Sequence, residues 1–289
     1  MSNTIELAKS FVPKLDECYR LASLTSVLDG APELAKQGAN ANELIIPMMS
    51  MEGLADYSRN GGYVQGGVTM TNETVKCNFD RGRRFDVDVM DDLETAGLAF
   101  GRLSAQFIRD KVVPELDAFR FASYCGISGV TKKEETLADG AATVTALSAA
   151  VTAMDDEEVT ATGRYLFITP TLLQGINDMD TTKSKKVLEG FEQVIKVPQR
   201  RFYTAIKQLS GKTGEEAGGY TKATGAANIN FAIVQKDALI QYTKHAAPKI
   251  IAPENNPDAD AYVFGYRMVG IAKAYKNMLS GMYFSHDKA

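Results

Sequence analysis

The side chains able to do chemistry are few in this chain, and they do not converge. His245 and His286 are the only histidines. They stand far apart, without the acid, serine or cysteine spacing that a catalytic triad or a zinc site needs. Asp86, Asp88, Asp91, Asp92 and Glu94 are close enough in sequence to suggest a divalent-metal site or a carboxylate pair for acid/base work. Arg81, Arg83 and Arg84 lie immediately before them. Strand-face ion pairs and a capped helix start account for the same residues without a ligand. Asp155 to Glu158 follows a helical pattern and lacks the further ligands and the glycine of a calcium loop, so it reads as a solvated turn.

Two glycine-bearing stretches resemble phosphate motifs only in part. Ser210-Gly211-Lys212-Thr213 matches the tail of a P-loop, but Ile206 stands where its first glycine belongs. The cluster Gly61, Gly62, Gly66, Gly67 lacks the strand, helix and downstream acid of a dinucleotide fingerprint. The expectation is no catalytic residue, no cofactor and no metal.

The chain has 289 residues, 45% of them hydrophobic, and a net charge of −4. That length buries a sizeable core and lies near the point where one core divides into lobes. Mixed charge without a basic field argues against sequence-specific DNA binding. Cys18, Cys77 and Cys125 are an odd number and widely spaced, as expected of reduced packing thiols. No stretch approaches the ~20 apolar residues of a membrane span.

The element that must organise these residues runs from Asp88 to Gly126. Ala96, Phe100, Leu103, Phe107, Ile108, Val112, Leu116 and Phe119 recur in helical rhythm. Asp91 followed by Glu94 has capping-box spacing, and acid suits the positive end of a helix. Pro114 removes an amide donor and is expected to bend the helix. About 30 helical residues would span roughly 45 Å, a strut able to carry two lobes.

Ahead of the strut, Ala8, Phe11, Leu15, Cys18 and Ala22 form a short amphipathic segment, interrupted by Pro13, that reads as an arm lying on another surface. Leu44 to Met51 and Glu73 to Phe79 read as strands flanking a glycine-rich extension. Asp80 to Arg83 reads as a turn into a strand at Phe85 to Val89. After Gly126 the pattern predicts a loop and a helix over Thr143 to Met154. It then predicts a buried strand at Arg164 to Thr169, a helix from Pro170 to Asp178, a solvated basic run at Lys183 to Lys186 and a strand-like Val194 to Ala205. An exposed loop follows over Leu209 to Asn228, with a strand at Ile229 to Val234, a short helix at Lys236 to Thr243, a connector at Pro248 to Pro257 and closing strands.

In order and spacing, four stretches resemble the major capsid proteins of tailed bacteriophages with the Hong Kong 97-type fold. They are Asp56-Tyr57-Ser58-Arg59 with the loop to Gly67; Arg84 to Glu94 leading into Val112 to Arg120; Leu166-Phe167-Ile168-Thr169-Pro170; and Asp260 to Arg267 through Gly281-Met282-Tyr283. The resemblance implies an α+β fold with an N-terminal arm at 1–43 and an extended loop with flanking strands at 44–90. A peripheral domain with the spine helix would occupy 91–158, an axial domain 159–247, and a return to the peripheral domain 248–289. It implies a shell-forming protein, not an enzyme, assembling with itself as pentamers and hexamers around non-specifically bound double-stranded DNA. A portal is a further implied partner, and the implied location is the virion after synthesis in a bacterial cytoplasm. Arg59, Tyr63 and Arg84 are the candidate subunit contacts, since arginine pairs bidentately with carboxylates between copies.

Two departures from the family matter. Relatives that crosslink use a lysine in the extended loop, whereas Met51 to Val75 contains none and Lys76 lies at its base. A shell without covalent crosslinks is expected. Relatives with a cleaved scaffolding extension carry it ahead of the arm, so a separate scaffolding protein is expected here. An encapsulin-like nanocompartment shell and a soluble two-lobed α/β enzyme are the competing readings.

Overall fold

The computed structural model describes residues 23–30, 36–37, 43–90 and 105–288. Asp91 and Glu94, and with them the expected start of the strut, lie outside the described residues, as does the amphipathic segment up to Ala22.

The chain folds around two sheets and one helix. The larger sheet has the order β5-β13-β10-β6-β7, formed by Thr131–Glu134, Met282–His286, Ile229–Gln235, Arg164–Ile168 and Gln193–Lys196. Its two outer pairings, β5 with β13 and β6 with β7, are parallel, and its inner ones antiparallel. The runs Tyr165-Leu166-Phe167-Ile168 and Phe231-Ala232-Ile233-Val234 are apolar throughout because both faces are covered. Tyr165, Phe167, Ala232, Val234 and Phe284 enter one core, and Leu166, Ile168, Phe231, Ile233 and Tyr283 the other. The second core is closed by α2 (Gly140–Asp156) and α3 (Pro170–Asp178). Asp139 caps α2 by accepting from the Ala142 amide at 2.8 Å. A Cβ on Gly140 would come within 2.1 Å of the Gly175 carbonyl oxygen, so glycine sets the α2–α3 approach.

The smaller sheet joins β11 (Leu239–Ile251), β12 (Ala261–Ala274) and β4 (Phe79–Asp88) in that order. Here several sequence expectations give way. Asp80 to Arg83 is strand rather than turn, held by ten residue pairings between β4 and β12. Gly82 permits this register, since a Cβ there would meet the Tyr266 carbonyl oxygen at 2.8 Å. Lys236 to Thr243 is a single 3-10 turn, Lys236–Ala238, followed by strand. Pairing with β12 along the whole of β11 overrides the local helical pattern. Pro248 lies within β11 opposite Tyr266, tolerated because β11 is an edge strand. Lys183 to Lys186 keeps its lysines solvated, as expected, and belongs to α4 (Thr182–Glu189), started by a capping box between Thr181 and Ser184. Val194 to Ala205 divides into β7 and the 3-10 turn Gln199–Arg201.

The strut joins the two sheets. A π-helical segment, Ile108–Val112, leads directly into α1 (Val113–Gly126), with Pro114 in its first turn. Ile108, Val113 and Leu116 pack on Phe79, Phe264 and Met268 of the smaller sheet. Phe121, Tyr124 and Cys125, further along, enter the core of the larger sheet beside Phe167 and Phe202.

Candidate functional site

Three surfaces combine residues that a simple packing role does not explain. The first is a hairpin. β2 (Glu43–Met51) and β3 (Val68–Lys76) pair antiparallel over nine positions, a ribbon of about 30 Å at ~3.4 Å per residue. Its base is rooted by Val75, buried against Ile240, Tyr242 and Ile271. Towards the tip Met49, Met51, Leu54, Tyr57, Tyr63, Val68 and Met70 are exposed. Ser58 and Gly62 exchange backbone hydrogen bonds at the tip, with Gly62 at φ 73°, and the Tyr57 and Tyr63 rings lie 4.9 Å apart.

Of the candidate contact residues, Arg59 and Tyr63 stand together at this tip, and Arg59 has no partner among the described residues. Arg84 lies elsewhere, on β4, where its Nε donates to Asp86 Oδ1 at 2.8 Å within the same strand. Asp88 Oδ1 accepts from the Met90 amide at 2.9 Å, where the backbone turns helical at 89 and 90. The arginine–carboxylate cluster is thus part ion pair and part helix entry. Among the described residues no group of histidine, cysteine, aspartate and glutamate is arranged to hold a metal. Ser210 to Thr213 sits on a strand-to-strand loop, with the Ser210 amide donating to Glu215 Oε2 at 2.7 Å rather than facing a helix N-terminus.

The second is a buried polar network that no sequence motif marks. Asp117, fully buried on α1, accepts from Ser23 Oγ (2.9 Å), the Leu24 amide (3.1 Å), and the Thr25 amide and hydroxyl (3.3 and 2.8 Å). Arg201 Nη1 donates to it at 3.2 Å. One and two helical turns on, Arg120 donates to Thr25 Oγ1 and Asp29 Oδ1 at 2.8 and 3.1 Å, and Tyr124 donates to Gln241 Oε1 at 2.5 Å. Gln241 Nε2 then donates to the Thr25 carbonyl and Asp29 Oδ1 at 2.7 and 2.8 Å. Residues 23–30 are therefore clamped onto α1 and β11, so any free arm is rooted there. The signal available in sequence was an acid, a base and a tyrosine on the apolar face of the strut.

The third surface is a groove of ≈ 1300 Å³ between β4, the π-helical segment and the loop joining β8 (Ile206–Gln208) to β9 (Tyr220–Lys222). Arg81 closes one end. Its Nε donates to Glu115 Oε1 on α1 at 2.8 Å, and its Nη2 to the Leu209 and Gly219 carbonyls at 2.7 and 3.3 Å. Burial pushes the Glu115 carboxyl up, opposed by Arg81. Lys207 Nζ at 2.6 Å and the Ser210 amide at 2.7 Å both bond the Glu215 carboxylate, bracing the exposed loop, and together they hold that carboxyl down at about 2.

No protein-family model and no curated protein sequence matches the chain. Solved structures do match. The capsid of cyanophage P-SCSP1u aligns with TM-score 0.55 at 13% identity, over 87% of this chain and 85% of that one. A structure from Gordonia phage Cozz aligns with TM-score 0.60 at 10% identity, over 93% and 87%. The virus-like particle of Pyrococcus furiosus aligns with TM-score 0.60 at 10% identity, over 97% and 99%. At such identities the likeness is one of fold: a mixed α/β chain with the fold of phage capsid structures.

Proposed function

We propose that this chain is the major capsid protein of a tailed bacteriophage, self-assembling into the icosahedral head shell that encloses double-stranded DNA. The observation that carries this reading is the β2–β3 hairpin: a structured ribbon exposing Met49, Met51, Leu54, Tyr63 and Met70 to water is costly unless another surface covers it. The shared fold with phage capsid structures supplies the setting.

In this reading the fold is of the Hong Kong 97 type. Residues 1–43 are the N-terminal arm, 44–90 the extended loop that overlaps a neighbour, and 91–158 the peripheral domain with its spine helix. Residues 159–247 are the axial domain at the five- and six-fold axes, and 248–289 return to the peripheral sheet. The helix start capped by Asp91 and Glu94, and the bend at Pro114, belong to the spine. Arg59, Tyr63 and Arg84 meet neighbouring copies. Pentamers and hexamers, a separate scaffolding protein, a portal and non-specifically held DNA are its partners. The shell has no covalent crosslinks, and the protein's role is mechanical rather than enzymatic. It resides in the virion after synthesis in the bacterial cytoplasm.

Negative-stain microscopy of the expressed protein, alone and with a co-expressed scaffold, tests the reading. Closed shells are expected; monomers or small symmetric oligomers under every condition would overturn it. The near-complete mutual coverage with the Pyrococcus furiosus virus-like particle favours a second reading, an encapsulin-like compartment. A small uniform shell and a neighbouring cargo gene would select it.

A further inference from the structure

Asparagine or aspartate is followed by glycine at Asp29-Gly30, Asn60-Gly61 and Asp139-Gly140, and Asn60 is the only asparagine so placed. At such a junction the glycine nitrogen, uncrowded by a side chain, can attack the side-chain carbonyl carbon of the residue before it and close a succinimide ring. Closure needs a backbone free to swing and an amide free to give up its proton. Buried or firmly bonded junctions are therefore inert.

The fold holds two of the three. Gly30 donates its amide to the Gln241 carbonyl at 3.0 Å, while Arg120 and Gln241 pin Asp29 Oδ1 at 3.1 and 2.8 Å. Asp139 Oδ1 accepts from the Ala142 amide, and Gly140 is buried against Gly175 in the first turn of α2. Asn60-Gly61 is the opposite case. Both residues are exposed at the hairpin tip. The backbone hydrogen bonds there join Ser58 and Gly62, on either side of the junction. The Gly61 amide donates only to Ser58 Oγ, at 3.1 Å among the described residues, and that exposed hydroxyl is readily replaced by water.

We propose that Asn60 is a site of spontaneous modification, confined to this junction by the fold. Deprotonated by solvent base, the Gly61 nitrogen forms a bond to Asn60 Cγ, the bond from Cγ to the side-chain nitrogen breaks, and ammonia leaves. Water then opens the ring at either carbonyl to give aspartate or isoaspartate. The net exchange is NH2 for OH, with water the only co-reactant. Either product sets a carboxylate beside Arg59. Isoaspartate also routes a side-chain carbon into the main chain between Ser58 and Gly62, which disrupts their paired hydrogen bonds and the 4.9 Å approach of the Tyr57 and Tyr63 rings. In the shell reading above, on which this last step alone rests, copies that linger unassembled lose a competent tip.

The test incubates purified, unassembled full-length protein at mildly alkaline pH and maps its peptides with fragmentation that separates aspartate from isoaspartate. Native protein should convert Asn60 as fast as protein unfolded in guanidinium, while isoaspartate at 29 and 139 forms only in the unfolded sample. In Gly61→Ala the new methyl meets Ser58 no closer than 3.5 Å, so the fold is kept. Its crowding of the nitrogen should slow conversion at least about tenfold, ~1.4 kcal/mol in barrier. An Asn60 that stays intact in the native chain, equal rates in wild type and Gly61→Ala, or native isoaspartate at 29 or 139 would overturn the proposal. Particles grown from aged protein should be depleted in converted chains relative to the pool; equal content would overturn the link to assembly. Protein that never forms particles would overturn the shell reading, while conversion at Asn60 is read in the free chain either way.

Discussion

The Thr25 hydroxyl donates to Asp117 Oδ1 at 2.8 Å, joining residues 92 positions apart inside a site that water does not reach. This contact fixes where the N-terminal segment leaves the body. Asp117→Ala would strand Arg201, whose Nε already has no partner among the described residues, and leave the Ser23 and Thr25 hydroxyls without their carboxylate acceptor. The expected loss is about 3–5 kcal/mol in urea unfolding, the range for removing one partner of a buried ion pair. Asp117→Asn should recover part of it.

Arg81 links the strut to the β8–β9 loop. Arg81→Ala should open that loop to trypsin at Lys212 while wild-type protein resists. Burial holds the Glu115 carboxyl above its ordinary value, and losing Arg81 removes the charge that opposes this. A raised carboxyl means that the folded state binds more protons between the ordinary value of 4.5 and its own. Its unfavourable contribution is therefore absent at low pH and appears as pH rises through the folded value. Relative to wild type, the variant should be least stable at neutral pH and recover on acidification, read from thermal melts across the range.

Gly140→Ala tests the α2–α3 approach. The obstructing atom is the Gly175 carbonyl oxygen, which cannot rotate away as a side chain could. Overpacking of about 1–3 kcal/mol is expected, seen as a lowered melting temperature.

Cys125 is buried, and desolvation pushes its thiol to about 11 from 9.0. At mildly alkaline pH its thiolate population should be about a hundredfold below that of an ordinary thiol. Mass-resolved alkylation of native protein should leave Cys125 unmodified and label it only after denaturation.

Arg59→Ala tests the hairpin tip. Because Arg59 has no partner within its own chain among the described residues, the monomer should keep its wild-type melting temperature. Shell formation, scored by sedimentation, should fall. Normal shells would dismiss Arg59 as a contact.

The sequence alone determined the local elements whose pattern survives any packing. The doubly covered strands Arg164–Ile168 and Ile229–Gln235 announce themselves through the unbroken apolar runs Tyr165-Leu166-Phe167-Ile168 and Phe231-Ala232-Ile233-Val234, and Pro170 marks a helix start that its φ already suits. The hairpin was legible from strands flanking glycines that no core could use. Tertiary structure decided what depends on distant partners. Asp80 to Arg83 and Leu239 to Ile251 are strands because β12 lies between them and bonds both. Asp117 is a clamp because the chain brings Thr25 and Arg201 to it. Which face of the hairpin is apolar follows from pairing register, and that is set only when β2 meets β3. Short-range patterns carry their own free energy; register, burial of charge and the meeting of remote segments arise only once the whole chain has closed.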